Sequence, residues 1–273
     1  MRYLLRMKPR VLVTLHVYPA AIAILQEHCA VDYHDRDDVL DEAALRKRLR
    51  LAQGVVCQLT DPMTARVLEA APDLKVIAQV AVGVDNVDVA AATARNVVVT
   101  NTPGVLTEAT ADLAFALLLA AARRLPAAER YLREGRWQRW SVDLLCGTDV
   151  HGQTLGVVGF GRIGRAVARR ARGFSMRVLY ASRSPAPPDV EEELAARRVP
   201  LDALLRESDF VSLHVPLTDA TRHLIGAEQL ASMKRSAILV NTARGPVVDE
   251  RALIAALEEG LIGRCGLDVV ENE

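Results

Sequence analysis

The sequence has almost no lysine, few aromatic residues, four scattered cysteines and no long apolar run. Its 34 basic residues are nearly all arginine, with lysine only at Lys8, Lys47, Lys75 and Lys234. Asp and Glu also number 34, so the formal net charge is zero. No global basic field draws such a chain to nucleic acid, and no acidic block marks a solvating tail. Function has to come from a local site. Cys29, Cys57, Cys146 and Cys265 form no Cys-x-x-Cys pair, which argues against a zinc knuckle or a disulfide framework and suits a reduced cytoplasm with no metal site. The first ten residues run into a short strand and not into an apolar signal core. The longest apolar stretch, 113–122, is bounded by Asp112 and Arg123-Arg124. It falls far short of the roughly 20 residues that a membrane span needs.

What the sequence does have is alternation. Over the first hundred residues, short apolar strands at 11–15, 54–57, 75–80 and 97–101 alternate with amphipathic helices at 20–28, 64–71 and 87–95. That is the pattern of parallel strands covered by helices. Thr102-Pro103-Gly104 interrupts it before a helix over 107–122, which divides the chain into domains at 1–103 and 104–273. Residues 126–150 are rich in charge, carry Trp137 and Trp140 and lack strict periodicity. They suit an arm on a partner surface, or else a surface segment pinned by two indoles. From 154 a second alternation sets strands near 155–159, 177–181, 209–214, 236–241 and 265–270, with helices at 162–172, 201–207 and 249–259. The expected fold is α/β: two doubly wound parallel sheets, Rossmann- or flavodoxin-like, with a cleft between them. Sheets of this kind bind ligands at the carboxyl ends of their strands.

The first strand of the second half ends in Gly159-Phe160-Gly161-Arg162-Ile163-Gly164 and leads into a helix. The first glycine permits the tight turn, the second lets backbone approach a pyrophosphate, and the third lets helix and strand pack closely. A diphosphate would then sit on the helix N-terminus. Phe160 and Ile163 read as packing residues of the turn. The next strand ends in Ser182-Arg183-Ser184, where an acidic residue would normally hold ribose hydroxyls. Serine removes the repulsion of a 2′-phosphate, and Arg183 can pair with it through a planar fork. NADP(H) is therefore expected ahead of NAD(H), unless Arg183 only stacks on adenine or faces solvent. At a later strand end, Asn241-Thr242-Ala243-Arg244-Gly245 offers an arginine that could hold a carboxylate and polarise the carbonyl next to it. On spacing alone, a structural ion pair fits Arg244 equally well.

These segments, together with Val247-Val248-Asp249, Gly266-Leu267-Asp268-Val269 and Val82-Gly83-Val84-Asp85-Asn86-Val87-Asp88, resemble the D-isomer-specific 2-hydroxyacid dehydrogenases. The run 101–112, Asn-Thr-Pro-Gly-Val-Leu-Thr-Glu-Ala-Thr-Ala-Asp, is most similar to the glyoxylate and hydroxypyruvate reductase branch. The resemblance extends from about residue 8 to the end. It implies reversible hydride transfer between a nicotinamide cofactor and a small 2-oxo acid, glyoxylate or hydroxypyruvate foremost. Other acids of the family, such as phosphoglycerate, lactate or 2-ketogluconate, are alternatives, as is a non-catalytic, nucleotide-sensing corepressor-like scaffold. It also implies a homodimer built by residues 107–150.

By the same resemblance, Arg244 matches the family's catalytic arginine and Glu273 its glutamate. The family's histidine follows in a segment this sequence does not include, so a truncated product with cofactor affinity and little activity is expected. The backbone of Val82-Gly83 would grip the substrate carboxylate, and Leu59 would lie near the substrate. Val215, Pro216, Thr242 and Ala243 would line the cofactor, and Asp268 would hold its carboxamide. Read without the family, Gly83 is a strand-to-helix turn, Leu59 is core and Asp268 caps a helix. Of the six histidines, His214 reads as a lining residue. His16 ends the first strand of the other domain and could touch substrate, although such histidines are more often structural. His28, His34, His151 and His223 read as surface or loop residues.

Overall fold

The computed structural model describes residues 8–36 and 38–271, and its chain forms two compact units, Met1–Val105 and Leu106–Glu273. In the first unit the order is β1 (Arg10–Val13), α1 (Pro19–His28), β2 (Ala30–Tyr33), α2 (Glu42–Leu49), β3 (Gly54–Cys57), α3 (Ala65–Glu69), β4 (Val76–Gln79), α4 (Val89–Ala94) and β5 (Val98–Thr100). The strands make one parallel sheet in the order β2-β1-β3-β4-β5. Its core joins Leu12, Val55 and Cys57 from the strands to Leu45, Val67 and Leu68 from the helices. Three helices begin where a short polar side chain accepts an orphan amide: Asp41 from Ala44, Thr64 from Val67 and Asp88 from Ala91.

β2 and α2 were not expected. β2 is an edge strand with no fully buried residue, and α2 buries only Leu45 and Leu49 beneath a run of basic residues. Neither carries the apolar run on which the sequence pattern relied. Across them, Arg48 grips Asp32 at 2.5 Å, and that hydrogen bond holds the Asp32 carboxyl below the usual carboxylate range.

The second unit opens with α5 (Thr107–Ala122) and α6 (Leu125–Arg133). It continues with β6 (Thr154–Val158), α7 (Arg162–Arg172), β7 (Arg177–Ala181), α8 (Pro188–Leu194), β8 (Ala196–Arg198), α9 (Leu201–Glu207) and β9 (Phe210–Leu213). α10 (Ala227–Ser232), β10 (Ile238–Asn241), a 3-10 turn (Gly245–Val247), α11 (Glu250–Glu258) and β11 (Arg264–Leu267) complete it. The parallel sheet runs β11-β10-β9-β6-β7-β8, so strand order reverses between β6 and β9, the switch point at which such sheets bind ligands. β9 and β10 are buried along their whole length, as strands covered on both faces must be.

α5 packs Ala111, Ala114, Phe115, Leu118 and Ala122 into the core of its own unit. At its start, Glu108 and Asp112 both pair with Arg170 of α7. The segment beyond, read as lacking strict periodicity, begins as the α6 helix, which buries no residue. Leu125, Leu132, Trp137, Trp140 and Val142 are all more than half exposed. β8 also escaped the sequence pattern, because only one of its three residues is buried. β11 ends at Leu267, short of the expected 270, so Asp268 to Val270 leave the sheet. Among the described residues, no helix is long and apolar enough to cross a membrane.

Candidate active site

The three fingerprint glycines have different reasons to be glycine. Gly159 has φ +93°, and a Cβ there would lie 2.5 Å from the His214 carbonyl oxygen. At Gly164 a Cβ would collide with the Gly159 carbonyl. A Cβ on Gly161, by contrast, meets nothing within 4 Å, and its φ of −78° suits any residue. Nothing among the described residues requires glycine at 161; the space above it accommodates an approaching ligand. Gly161 also precedes the first turn of α7, whose N-terminus has no side-chain cap, which leaves amides directed at that space. The residues present therefore fit a dinucleotide diphosphate.

Gly161→Ala is expected to keep the unfolding midpoint near that of the parent and to weaken dinucleotide binding by roughly ten-fold, about 1.4 kcal/mol. Gly164→Ala should instead lower the midpoint. Thermal melts with titration calorimetry check both, and unchanged affinity in Gly161→Ala would contradict the assignment.

Phe160 is buried and stacks on Tyr180, ring centroids 4.0 Å apart, while Ile163 packs against the core. Both therefore act as packing residues of the turn. Arg162 is exposed at the start of α7. The Gly159 amide donates to the Ala181 carbonyl at 2.8 Å, which ties the glycine turn to the loop after β7. In that loop Ser182 Oγ donates to the Ser184 carbonyl at 2.6 Å, and Arg183 is exposed. Tyr180 beneath it donates to Glu191 and accepts from the Ala186 amide, which fixes the far side of the loop. A depression of about 410 Å³ joins Gly159, Gly161, Ser182, Arg183, Ser184, Val215 and Pro216.

At the switch point, the His214 amide donates to the Val158 carbonyl, and its ring lies 2.8 Å from Ser212 Oγ. Burial pushes the imidazole down to about 4, so at neutral pH the ring is uncharged and is no general acid. The free chain's value is 6.5. The folded state therefore binds fewer protons than the unfolded state between the two values, and stability falls as pH drops from about 6.5 towards 4. At about 1.4 kcal/mol per pH unit, this contribution amounts to about 3 kcal/mol. Chemical denaturation across that range should lose this much more in the parent than in His214→Gln; parallel curves would refute it.

β10 ends in a turn stapled by one buried amide side chain. Asn241 Nδ2 donates to the Arg244 carbonyl at 2.9 Å, and its Oδ1 accepts from the Ala243 amide at 3.0 Å. The Asn241 carbonyl accepts from the Asp268 amide, which joins the turn to the end of β11. Arg244 is half-buried and donates to the Ala243 carbonyl. Gly245 follows it so closely beneath the Val270 carbonyl that a Cβ would collide. Thr242 Oγ1 is buried without a hydrogen-bond partner among the described residues, an orphan polar atom of the kind that a bound group satisfies. Asp268 is exposed, and no helix follows it among the described residues, so it does not cap one. Glu271 accepts from or pairs with His223 at 2.8 Å. Glu273 lies outside the described residues.

In the first unit the strand-end loops rest on a buried polar network. Asp61 accepts from Thr14 Oγ1 at 2.5 Å and from the Gln58 amide at 2.7 Å. Asn86 donates to the Gln58 and Asp61 carbonyls and accepts from Gln79. Cys57 donates to Gln79, and burial pushes its thiol up to about 12. This network fixes the loop carrying Leu59, which is 42% exposed and so is not core. The Val82 carbonyl accepts from Asn101, and Gly83 lies in the turn between β4 and α4. His16 is exposed, with Nδ1 2.8 Å from Asp35. His34 is more enclosed than expected, its side chain only 11% exposed.

A parallel α/β unit with a glycine turn at its switch point and an open cradle over Gly161 defines a dinucleotide-binding protein. The family model for the D-isomer specific 2-hydroxyacid dehydrogenase NAD binding domain matches residues 115–273. The chain belongs to that family, on its glyoxylate reductase branch, and is a nicotinamide-dependent oxidoreductase. It is 55% identical over 268 residues to a glyoxylate reductase from Korarchaeum cryptofilum, covering 98% of this chain and 80% of that protein. A Thermus thermophilus protein of known structure superposes with a TM-score of 0.89 at 49% identity, covering 97% of this chain and 83% of its own. An NADPH-dependent glyoxylate/hydroxypyruvate reductase from Sinorhizobium meliloti, solved with NADP and malonate, has a TM-score of 0.86 at 37% identity. That match covers 97% of this chain and 81% of the other.

Proposed function

We propose that the reaction served by this site is reduction of glyoxylate to glycolate, and of hydroxypyruvate as a second substrate to D-glycerate, with NADPH preferred over NADH. The observation that carries this reading is an order along one sheet edge. Successive carboxyl ends from β7 to β11 present Ser182-Arg183, the glycine turn, His214-Val215-Pro216, Thr242-Ala243-Arg244 and Asp268. Four strand steps at about 4.8 Å make about 19 Å, a length that an extended dinucleotide spans.

In this reading the 2′-phosphate lies at Ser182-Arg183 and the diphosphate over Gly161. Val215 and Pro216 line the middle, while Thr242, Ala243 and Asp268 hold the nicotinamide end. The nicotinamide, when bound, supplies the hydride. Arg244 holds the 2-oxo acid by its carboxylate and stabilises charge growing on the neighbouring carbonyl oxygen. For the first unit taken by itself, the resemblance assigns the backbone of Val82-Gly83 to a substrate carboxylate and Leu59 to the substrate's surroundings. By the family resemblance, Glu273 would pair with the family's proton-donating histidine; burial holds the His214 ring uncharged, which argues against that role for it.

The relatives named glyoxylate reductase support the substrate class, and the complex with NADP supports the cofactor. The proposal includes a homodimer built on residues 107–150, supported by the exposed apolar strip from Leu125 to Val142. A steady-state panel of 2-oxo acids with NADPH and NADH tests the reading. Faster turnover of pyruvate or phosphohydroxypyruvate than of glyoxylate would overturn the substrate, and a preference for NADH would overturn the cofactor.

A further inference from the structure

A second guanidinium lies at the loop after β7, from an element that the glycine fingerprint does not include. Arg198 ends the edge strand β8, opposite Tyr180 of β7. Its Nη2 donates to both the Ser182 and Arg183 carbonyls at 2.8 Å, and its Nε approaches the Ser182 carbonyl at 3.3 Å. Its Nη1 has no hydrogen-bond partner among the described residues, and the side chain is exposed. Arg198 also lines a depression of about 690 Å³ together with Ser182, Arg183, Leu201 and Val215.

The engagement of Ser182 makes this cation matter. Ser182 donates its single hydroxyl proton to the Ser184 carbonyl, so it has none to offer an incoming phosphate in this arrangement. Recognition of a dianion at this loop then depends on positive charge, from Arg183 and from a guanidinium already tethered to the loop's carbonyls. The tether matters because an arginine held by two carbonyls has lost its rotamer freedom before a ligand arrives.

We propose that Arg198 is a determinant of 2′-phosphate recognition, acting as the fixed member of a two-arginine clamp with Arg183. This rests on the reading of NADPH as the preferred cofactor. The clamp selects a nucleotide bearing a phosphomonoester on its adenosine ribose and contributes little to one with free hydroxyls.

The test is equilibrium binding to the 273-residue chain, with adenosine 2′,5′-bisphosphate and 5′-AMP as probes. The parent is expected to prefer the bisphosphate. Arg198→Gln should lose about ten-fold in bisphosphate affinity, the scale of one charge-assisted hydrogen bond, with 5′-AMP affinity changed less than about two-fold. Its bisphosphate affinity should also fall less steeply with salt, since one fewer cation is engaged. Arg198→Lys keeps the charge and loses the fork, so an intermediate loss is expected; it also serves if the glutamine variant unfolds. Equal losses for both probes would make Arg198 a structural tether only and overturn the inference. A parent that does not prefer the bisphosphate would instead overturn the NADPH reading on which it stands.

Discussion

Replacing Arg244 with glutamine is expected to lower kcat/KM for glyoxylate by about 10²- to 10³-fold, the scale of removing one preorganised donor from a developing oxyanion. The expectation follows from how firmly the residue is held. Asn241 staples the backbone on both sides of it. Gly245 wedges the next residue under the Val270 carbonyl, and the backbone at Arg244 is extended and unstrained. A side chain on so fixed a base spends little entropy in meeting a carboxylate. Arg244→Lys should recover only part of the loss, because an ammonium cannot present two parallel donors. Steady-state rates of NADPH oxidation measure the effect, and titration of NADPH confirms that the site remains intact. A loss below about ten-fold in the glutamine variant would remove Arg244 from the chemistry.

The second large effect concerns the cofactor. Ser182→Asp is expected to reverse the preference, with the ratio of NADPH to NADH affinity falling by about 10²-fold or more. On the NADPH reading a carboxylate there would face the 2′-phosphate directly, and like charges so placed cost several kcal/mol. It would also accept from ribose hydroxyls and draw Arg183 and Arg198 into pairs of its own. The loss on NADPH and the gain on NADH should thus appear together. Fluorescence titration with each cofactor decides the matter: an unchanged ratio would mean that the phosphate does not lie at this loop.

The parts of the candidate site whose places in the fold could be read in advance are those written in consecutive residues. The glycine turn, Ser182-Arg183 and the run from Asn241 to Gly245 each depend on local order, so the strand before and the helix after suffice to place them. Arg198 was not legible, since it reaches the loop from a short edge strand well outside the fingerprint. The Asp61 network was hidden for the same reason: Thr14, Gln58 and Asn86 meet only after β3 has paired with both β1 and β4. Polar residues at an edge, such as those of β2, resemble loop in a pattern built on burial. What long-range pairing decides, local periodicity does not record.

The placement of α5 bears on how the chain can be cut. The family model begins at residue 115, in the middle of that helix, whereas the helix itself begins at Thr107. A fragment started at 115 would discard Ala111 and Ala114 from the apolar seam and leave Arg170 without Glu108 and Asp112. It would also halve the helix that lies against β10 and β11. The recurring module and the compact unit thus have different left-hand edges, and a fragment meant to keep these contacts has to start at or before Leu106.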